Sequence, residues 1–129
     1  MSEKHVVDSS AWLEYFADGP NADYFAPVIE VVDALVVPVV TIYEVYKRVF
    51  LQRDESDALR AVALMQQGSV VHLDESISLE AAMLSITHQL PMADSMILAT
   101  ARRYKATLWT QDSDFREMEG VNYQPARDH

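Results

Sequence analysis

Short apolar runs of strand length alternate along the chain with longer stretches in which apolar residues recur every three or four positions. Residues 5–8 (His-Val-Val-Asp), 35–38, 70–73 and 107–110 read as strands, and 121–123 as a last short one. The stretch between the first two holds two helices. One runs over 11–16, with Ser9 or Ser10 as its cap and Trp12, Leu13 and Phe16 on one side. After the break Asp18-Gly19-Pro20-Asn21, the other is predicted over 22–32, with Tyr24, Phe25, Val28, Ile29 and Val32 as its buried stripe. A third helix spans 39–52. Val39, Tyr43, Tyr46 and Phe50 keep helical spacing and are expected to face the core, while Thr41, Glu44, Arg48 and Gln52 share a polar face. A fourth helix opens at Asp54 or Ser56 and is ended by Gly68. A fifth starts at Asp74-Glu75-Ser76, with Ile77, Ala81, Leu84 and His88 in line. A sixth begins with Pro91 in its first turn.

Strand-helix alternation of this kind predicts an α/β fold with three layers, α/β/α, around a mainly parallel sheet of four to five short strands. The length suits one domain over residues 1–129, with the tail 125–129 expected to fray.

Half the residues are hydrophobic, which excludes a disordered chain. There is no cysteine, so disulfides and thiolate zinc sites are excluded, and a cytoplasmic protein is expected. The N-terminal apolar run is too short for a signal peptide, and no apolar stretch reaches the length of a membrane span, so no membrane partner is expected. The net charge of −10 is at odds with ordinary nucleic-acid binding, which uses a basic face. A bound divalent cation or a basic partner protein would reconcile the two.

Four carboxylates occupy comparable places. Asp8 ends the first strand, Asp112 follows the fourth, Asp94 lies in the first turn after Pro91, and Glu44 projects from the third helix. Open α/β sheets put ligands beyond the carboxyl ends of their strands. Each residue also has a plainer reading: Asp8 as a cap, Asp94 as a complement to the helix dipole, Glu44 as the i, i+4 partner of Arg48, Asp112 and Asp114 as a turn. Together they are harder to explain without a cation, since two carboxylates about 4 Å apart repel by roughly 4 kcal/mol at an effective dielectric near 20. All-oxygen ligation points to Mg²⁺ or Mn²⁺ rather than zinc.

The segments Val-Val-Asp-Ser-Ser, Thr-Ile-Tyr-Glu-Val, Leu-Pro-Met-Ala-Asp-Ser-Met-Ile-Leu-Ala-Thr-Ala and Leu-Trp-Thr-Gln-Asp-Ser-Asp-Phe, in that order, resemble the PIN domain, and most of all the VapC-type toxins of toxin–antitoxin pairs. The resemblance runs from Val6 to about Tyr123. It implies a Mg²⁺- or Mn²⁺-dependent endoribonuclease that cuts tRNA, rRNA or mRNA and leaves a 3′-hydroxyl and a 5′-phosphate. The family's acidic positions fall on Asp8, Glu44, Asp94 and Asp112, with Glu44 reaching the metal directly or through water. Asp114 matches an additional, less uniform acidic position, and Ser9 and Thr110 match its supporting hydroxyls. Lys47, Arg48 and Arg53, and Arg102, Arg103 and Lys105, are candidate RNA contacts against the plainer reading of solvated helix surface. The resemblance further implies a homodimer, a cognate VapB-type antitoxin that blocks the acidic site, and operator DNA bound only through that antitoxin. Two other readings stand beside it: a non-catalytic PIN-like binding module, or another Mg-dependent phosphoryl hydrolase.

Overall fold

A computed structural model describes residues 3–127. In chain order it runs β1 (Lys4–Val7), α1 (Ser9–Phe16), α2 (Ala22–Ile29), β2 (Leu35–Pro38), α3 (Val39–Gln52), α4 (Glu55–Met65), β3 (Ser69–Val71), α5 (Glu75–His88), α6 (Met92–Arg103), β4 (Ala106–Thr110) and β5 (Val121–Tyr123), with 3-10 turns at Val32–Ala34 and Ser113–Phe115. The five strands form one sheet in the order β3-β2-β1-β4-β5, every neighbouring pair parallel. The chain therefore winds one way from β1 to β3 and the other way from β4 to β5. The reversal falls between β1 and β4, where Val6 pairs with Leu108 and Val7 with Trp109.

Strand side chains alternate between two faces. Val7, Leu35 and Val37 enter one core with Trp12, Phe25, Val45, Val49, Ala58 and Met65 from α1 to α4. Val6, Val36 and Leu108 enter the other with Ile97, Leu98 and Phe115. Helix α5 packs outside α6, through Ile77, Ala81 and Ala99. This is the expected three-layer α/β/α architecture.

Several local expectations are corrected. In α3 the buried residues are Thr41, Val45 and Val49, whereas Tyr43 is 63% exposed and Phe50 42%. Small and β-branched side chains fit where α3 lies close to α1 and α4, so the rings turn outward. In α5, His88 is exposed. Helix α2 stops at Ile29, short of Val32. Helix α4 is capped by Asp54, whose carboxylate accepts from Asp57 N–H, and it ends at Met65. Gly68 serves close packing instead: a Cβ there would lie 2.9 Å from Val37 Cγ2 and 3.0 Å from the Leu35 carbonyl. Pro91 is the N-cap of α6 and not its first helical residue. In the tail, the Pro125 carbonyl and the Arg127 guanidinium are hydrogen-bonded to Asn21. Asp128 and His129 lie outside the described residues.

Candidate metal centre

The reversal of strand order between β1 and β4 leaves a crevice above their carboxyl ends, where doubly wound sheets bind ligands. Asp8 follows β1 directly, and its N–H donates to the Trp109 carbonyl at 2.9 Å, which locks it to β4. Helix α3 starts straight from β2 and carries Glu44 inward in its second turn. Asp94 sits in the first turn of α6, and Asp112 begins the turn after β4. Asp8, Glu44, Asp94 and Asp112 all line one open cavity of about 570 Å³, together with Ser9, Ser10, Lys47 and Arg48.

Hydroxyl groups hold these carboxylates in place. Thr110, completely buried, donates to Asp8 Oδ2 at 2.8 Å and accepts from Asp112 N–H at 2.9 Å. Ser10 donates to the same Asp8 oxygen at 2.7 Å, and Ser9 donates to Glu44 Oε1 at 2.6 Å. Neither serine caps α1. Asp8 holds the N-cap position by its backbone, without a side-chain capping bond, so its carboxylate is left for the cavity. Asp112 does two things: Oδ1 accepts from Asp114 N–H at 2.9 Å, the expected turn, and the residue still lines the cavity.

The plainer alternative for Glu44, an ion pair with Arg48, is not among the ion pairs of the described residues. The ion pairs among the described residues join Arg53 and Arg60 to Asp57, and Arg103 to Glu80. Among the described residues, no side-chain cation pairs with the acidic site, and its charges crowd. Burial pushes Asp8 up from 3.8 to about 6, against the donated bonds of Ser10 and Thr110, and the charge of Asp112 adds to the rise. Asp94 is pushed up to about 8 by burial first, then by the charges of Asp8 and Asp112, its hydrogen bond with Asp112, and Glu44. Without a cation, Asp94 favours its protonated form near neutral pH. Carboxylates that hold a proton so tightly, with oxygens facing a shared cavity, suit a hard divalent ion.

Asp94, Asp112 and Asp114 each offer an oxygen within 4.8 Å of the other two. That trio and the cavity's four overlap on Asp94 and Asp112. Asp114 is exposed at the rim, while Asp8 is fixed deeper by its two hydroxyl donors. Lys47 and Arg48 reach the cavity, but Arg102 and Arg103 do not. They close α6 at its far end, eight and nine residues after Asp94, or about 12 Å along the axis. There Arg103 donates to Glu80 at 2.9 Å and also to Ser76. Arg53 pairs with Asp57 outside the acidic cavity. Sequence reading missed Ser10 as a carboxylate donor and Asn21 altogether. In sequence Asn21 reads as a turn residue, and its only signal is a carboxamide next to a Gly-Pro break.

The profile of the PIN domain matches residues 5–121. The chain belongs to the PIN domain family. Solved structures agree on the PIN fold. A chain of a toxin–antitoxin complex from Klebsiella pneumoniae is 19% identical with a TM-score of 0.78, over 92% of this chain and 96% of that one. VapC20 of Mycobacterium tuberculosis, a sarcin–ricin loop cleaving toxin, is 16% identical with a TM-score of 0.72, over 87% and 92%. PAE2754 of Pyrobaculum aerophilum is 22% identical with a TM-score of 0.73, over 95% and 90%. At such identities the likeness is one of fold. Comparison with curated protein sequences finds no significant match. Among the described residues of this PIN domain, no helix is long and apolar enough to cross a membrane.

Proposed function

We propose that this PIN domain is a metal-dependent endoribonuclease, the toxin of a VapC-type toxin–antitoxin pair acting in the cytoplasm. The observation that carries the reading is the meeting of Asp8, Glu44, Asp94 and Asp112, from four separate elements, in one cavity at the β1–β4 reversal without a paired cation. The fold likeness to a toxin–antitoxin complex and to a sarcin–ricin loop cleaving toxin supports the choice of substrate and partner.

Asp8, Asp94 and Asp112 would hold Mg²⁺ or Mn²⁺, with Glu44 direct or through water and Asp114 available at the rim. Such an ion supplies charge neutralisation at a phosphodiester and a water of lowered pKa. The chain's own part is placement. Thr110 and Ser10 fix Asp8 through one oxygen and leave the other to the cavity, and Ser9 does the same for Glu44. Lys47 and Arg48 are positioned to hold RNA phosphates on the α3 side. Hydrolysis forms a bond from water oxygen to phosphorus and breaks the bond from phosphorus to O3′, which leaves with a proton as the 3′-hydroxyl.

An antitoxin partner is supported by the channel beside the site. Ile42, Tyr43, Tyr46, Phe50, Leu59 and Val62 line an almost wholly apolar groove of about 740 Å³, which shares Tyr43, Lys47 and Leu51 with the acidic cavity. A segment with apolar side chains followed by a basic one would fill the groove and set its cation among the carboxylates. Contact with operator DNA then falls to the antitoxin, since this chain carries a net charge of −10. Pairing as a homodimer belongs to the same proposal. Purified protein incubated with total RNA should produce new, discrete 5′ ends with Mn²⁺ and none with EDTA. Asp94→Asn should abolish them while keeping the fold by circular dichroism. Full cleavage by that variant would sink the proposal.

A further inference from the structure

One buried carboxamide reaches the acidic site from outside its cavity. Asn21 lies in the turn between α1 and α2 and is wholly buried. A carboxamide offers two N–H donors and an oxygen acceptor, and this one uses them all. Nδ2 donates to Gln111 Oε1 at 3.0 Å and to the Pro125 carbonyl at 2.9 Å. Oδ1 accepts from Arg127 Nε at 2.7 Å, and the same guanidinium donates to the Pro20 carbonyl. The backbone anchors the residue to α1: Asn21 N–H donates to Glu14 Oε2 at 2.6 Å, and Glu14 is itself buried. Gly19 makes room for that carboxylate, because a Cβ there would collide with Glu14 Oε1.

Gln111 is the link between Thr110 and Asp112. Its backbone N–H donates to Ser10 Oγ at 3.3 Å, and the preceding Thr110 carbonyl accepts from Gln124 N–H at 2.9 Å. The Gln111 side chain is only half-buried, so burial alone does not demand its bond to Asn21. The bond ties down the residue that directly precedes Asp112 in the chain. We propose that Asn21 is a positioning residue of the acidic site: by gripping Gln111 it fixes the loop that presents Asp112, and the chain after β5, through Pro125 and Arg127, completes the grip. The stretch that follows the last strand thus becomes part of the site's support.

The test uses the whole chain with Gln111→Ala, Gln111→Glu, Asn21→Ala and the double alanine variant, and it has two readouts. The first is amide hydrogen exchange in metal-free protein, which is independent of the metal reading. Gln111→Ala should speed exchange at Asp112 and Asp114 about tenfold and leave the sheet amides of Val7 and Leu108 as they were. Gln111→Glu, which keeps an acceptor for Asn21 Nδ2, should restore slow exchange. The second readout is Mn²⁺ affinity by titration calorimetry, and it rests on the proposed metal function. Gln111→Ala should weaken binding about tenfold, the usual scale for a partner one step removed from the ligands. The double variant should bind no more weakly than Asn21→Ala, since the two residues act through one bond. If Asn21→Ala does not fold, the Gln111 pair decides the matter alone. Unchanged exchange at Asp112 and Asp114 in Gln111→Ala overturns the proposal. A wild-type chain that binds no Mn²⁺ refutes the metal reading, and the exchange result still decides the positioning role.

Discussion

Charge crowding at the candidate metal centre predicts that removing one of its carboxylates stabilises the metal-free protein. Asp8→Asn is the cleanest case, because the amide oxygen can still accept from Ser10 and Thr110, which both donate to a single Asp8 oxygen. Asp8 is raised from 3.8 to about 6, chiefly by burial. Below the lower value the group is protonated folded or unfolded, and no stability is lost. Between the two values the folded state keeps a proton that the unfolded state releases, so stability falls as pH rises. Above about 6 the loss is complete. The rise of roughly 2 units corresponds to about 3 kcal/mol. Asp94, raised to about 8, extends the decline toward that pH, but it is partly open to solvent and its share is screened. For a chain of this size, 3 kcal/mol is an upper limit of about 10 °C in Tm. Circular dichroism melts in EDTA should therefore show Asp8→Asn matching wild type near pH 4 and melting several degrees higher near pH 8. Millimolar Mn²⁺ should raise the wild-type Tm near pH 8, do little near pH 4 where protons compete, and leave Asp8→Asn almost unmoved. Melting of the Asp8→Asn variant below wild type near pH 8 in EDTA would refute the reasoning, since the carboxylate would then be a net stabilising group.

Thr110→Val removes the hydroxyl that donates to Asp8 and accepts from Asp112 N–H; the loss of buried hydrogen bonds should cost about 1–3 kcal/mol in denaturant unfolding and at least tenfold in RNA cleavage. Leu59→Asp charges the exposed apolar groove, with Leu59 itself 53% exposed, and should leave RNA cleavage intact while abolishing inhibition by a co-expressed antitoxin; retained inhibition would place the antitoxin elsewhere. Replacing Lys47 and Arg48 together by alanine should raise KM for RNA with little change in kcat and flatten its salt dependence, whereas Arg102→Ala should change neither.

The architecture was legible in the sequence because its signals are local. Short continuous apolar runs such as Val6-Val7 and Val36-Val37 alternate with helical stripes, and that alternation implies a parallel sheet covered on both faces. The strand order β3-β2-β1-β4-β5 was not legible, since it rests on pairings across much of the chain, such as Val6 with Leu108. The site was half-legible for the same reason. Asp8 and Asp112 could be put at strand ends, but that their strands adjoin at the reversal is a tertiary fact. Helix α3 misleads because its aromatic residues fall at core spacing and outweigh Thr41, Val45 and Val49 in the pattern, whereas tight packing prefers the smaller set. Arg102 and Arg103 are near Asp94 in sequence, but about two turns of helix separate them from it, which the sequence spacing already implies.

The acidity that first argued against RNA now has a local reason. Twenty Asp and Glu residues face ten Lys and Arg, yet four of those carboxylates share one cavity and one of them holds a proton in preference to a charge. Under the proposed function, a centre in that state would repel a phosphodiester until a cation entered, which would couple substrate binding to metal binding. The same coupling would make a basic side chain an effective competitor. An antitoxin that docks its apolar residues in the α3–α4 groove needs only one cation near Tyr43 and Lys47 to reach the carboxylates, because the two cavities meet there. Inhibition should then weaken as Mn²⁺ is raised, and an antitoxin that blocks equally well at every Mn²⁺ concentration acts by covering the RNA path instead.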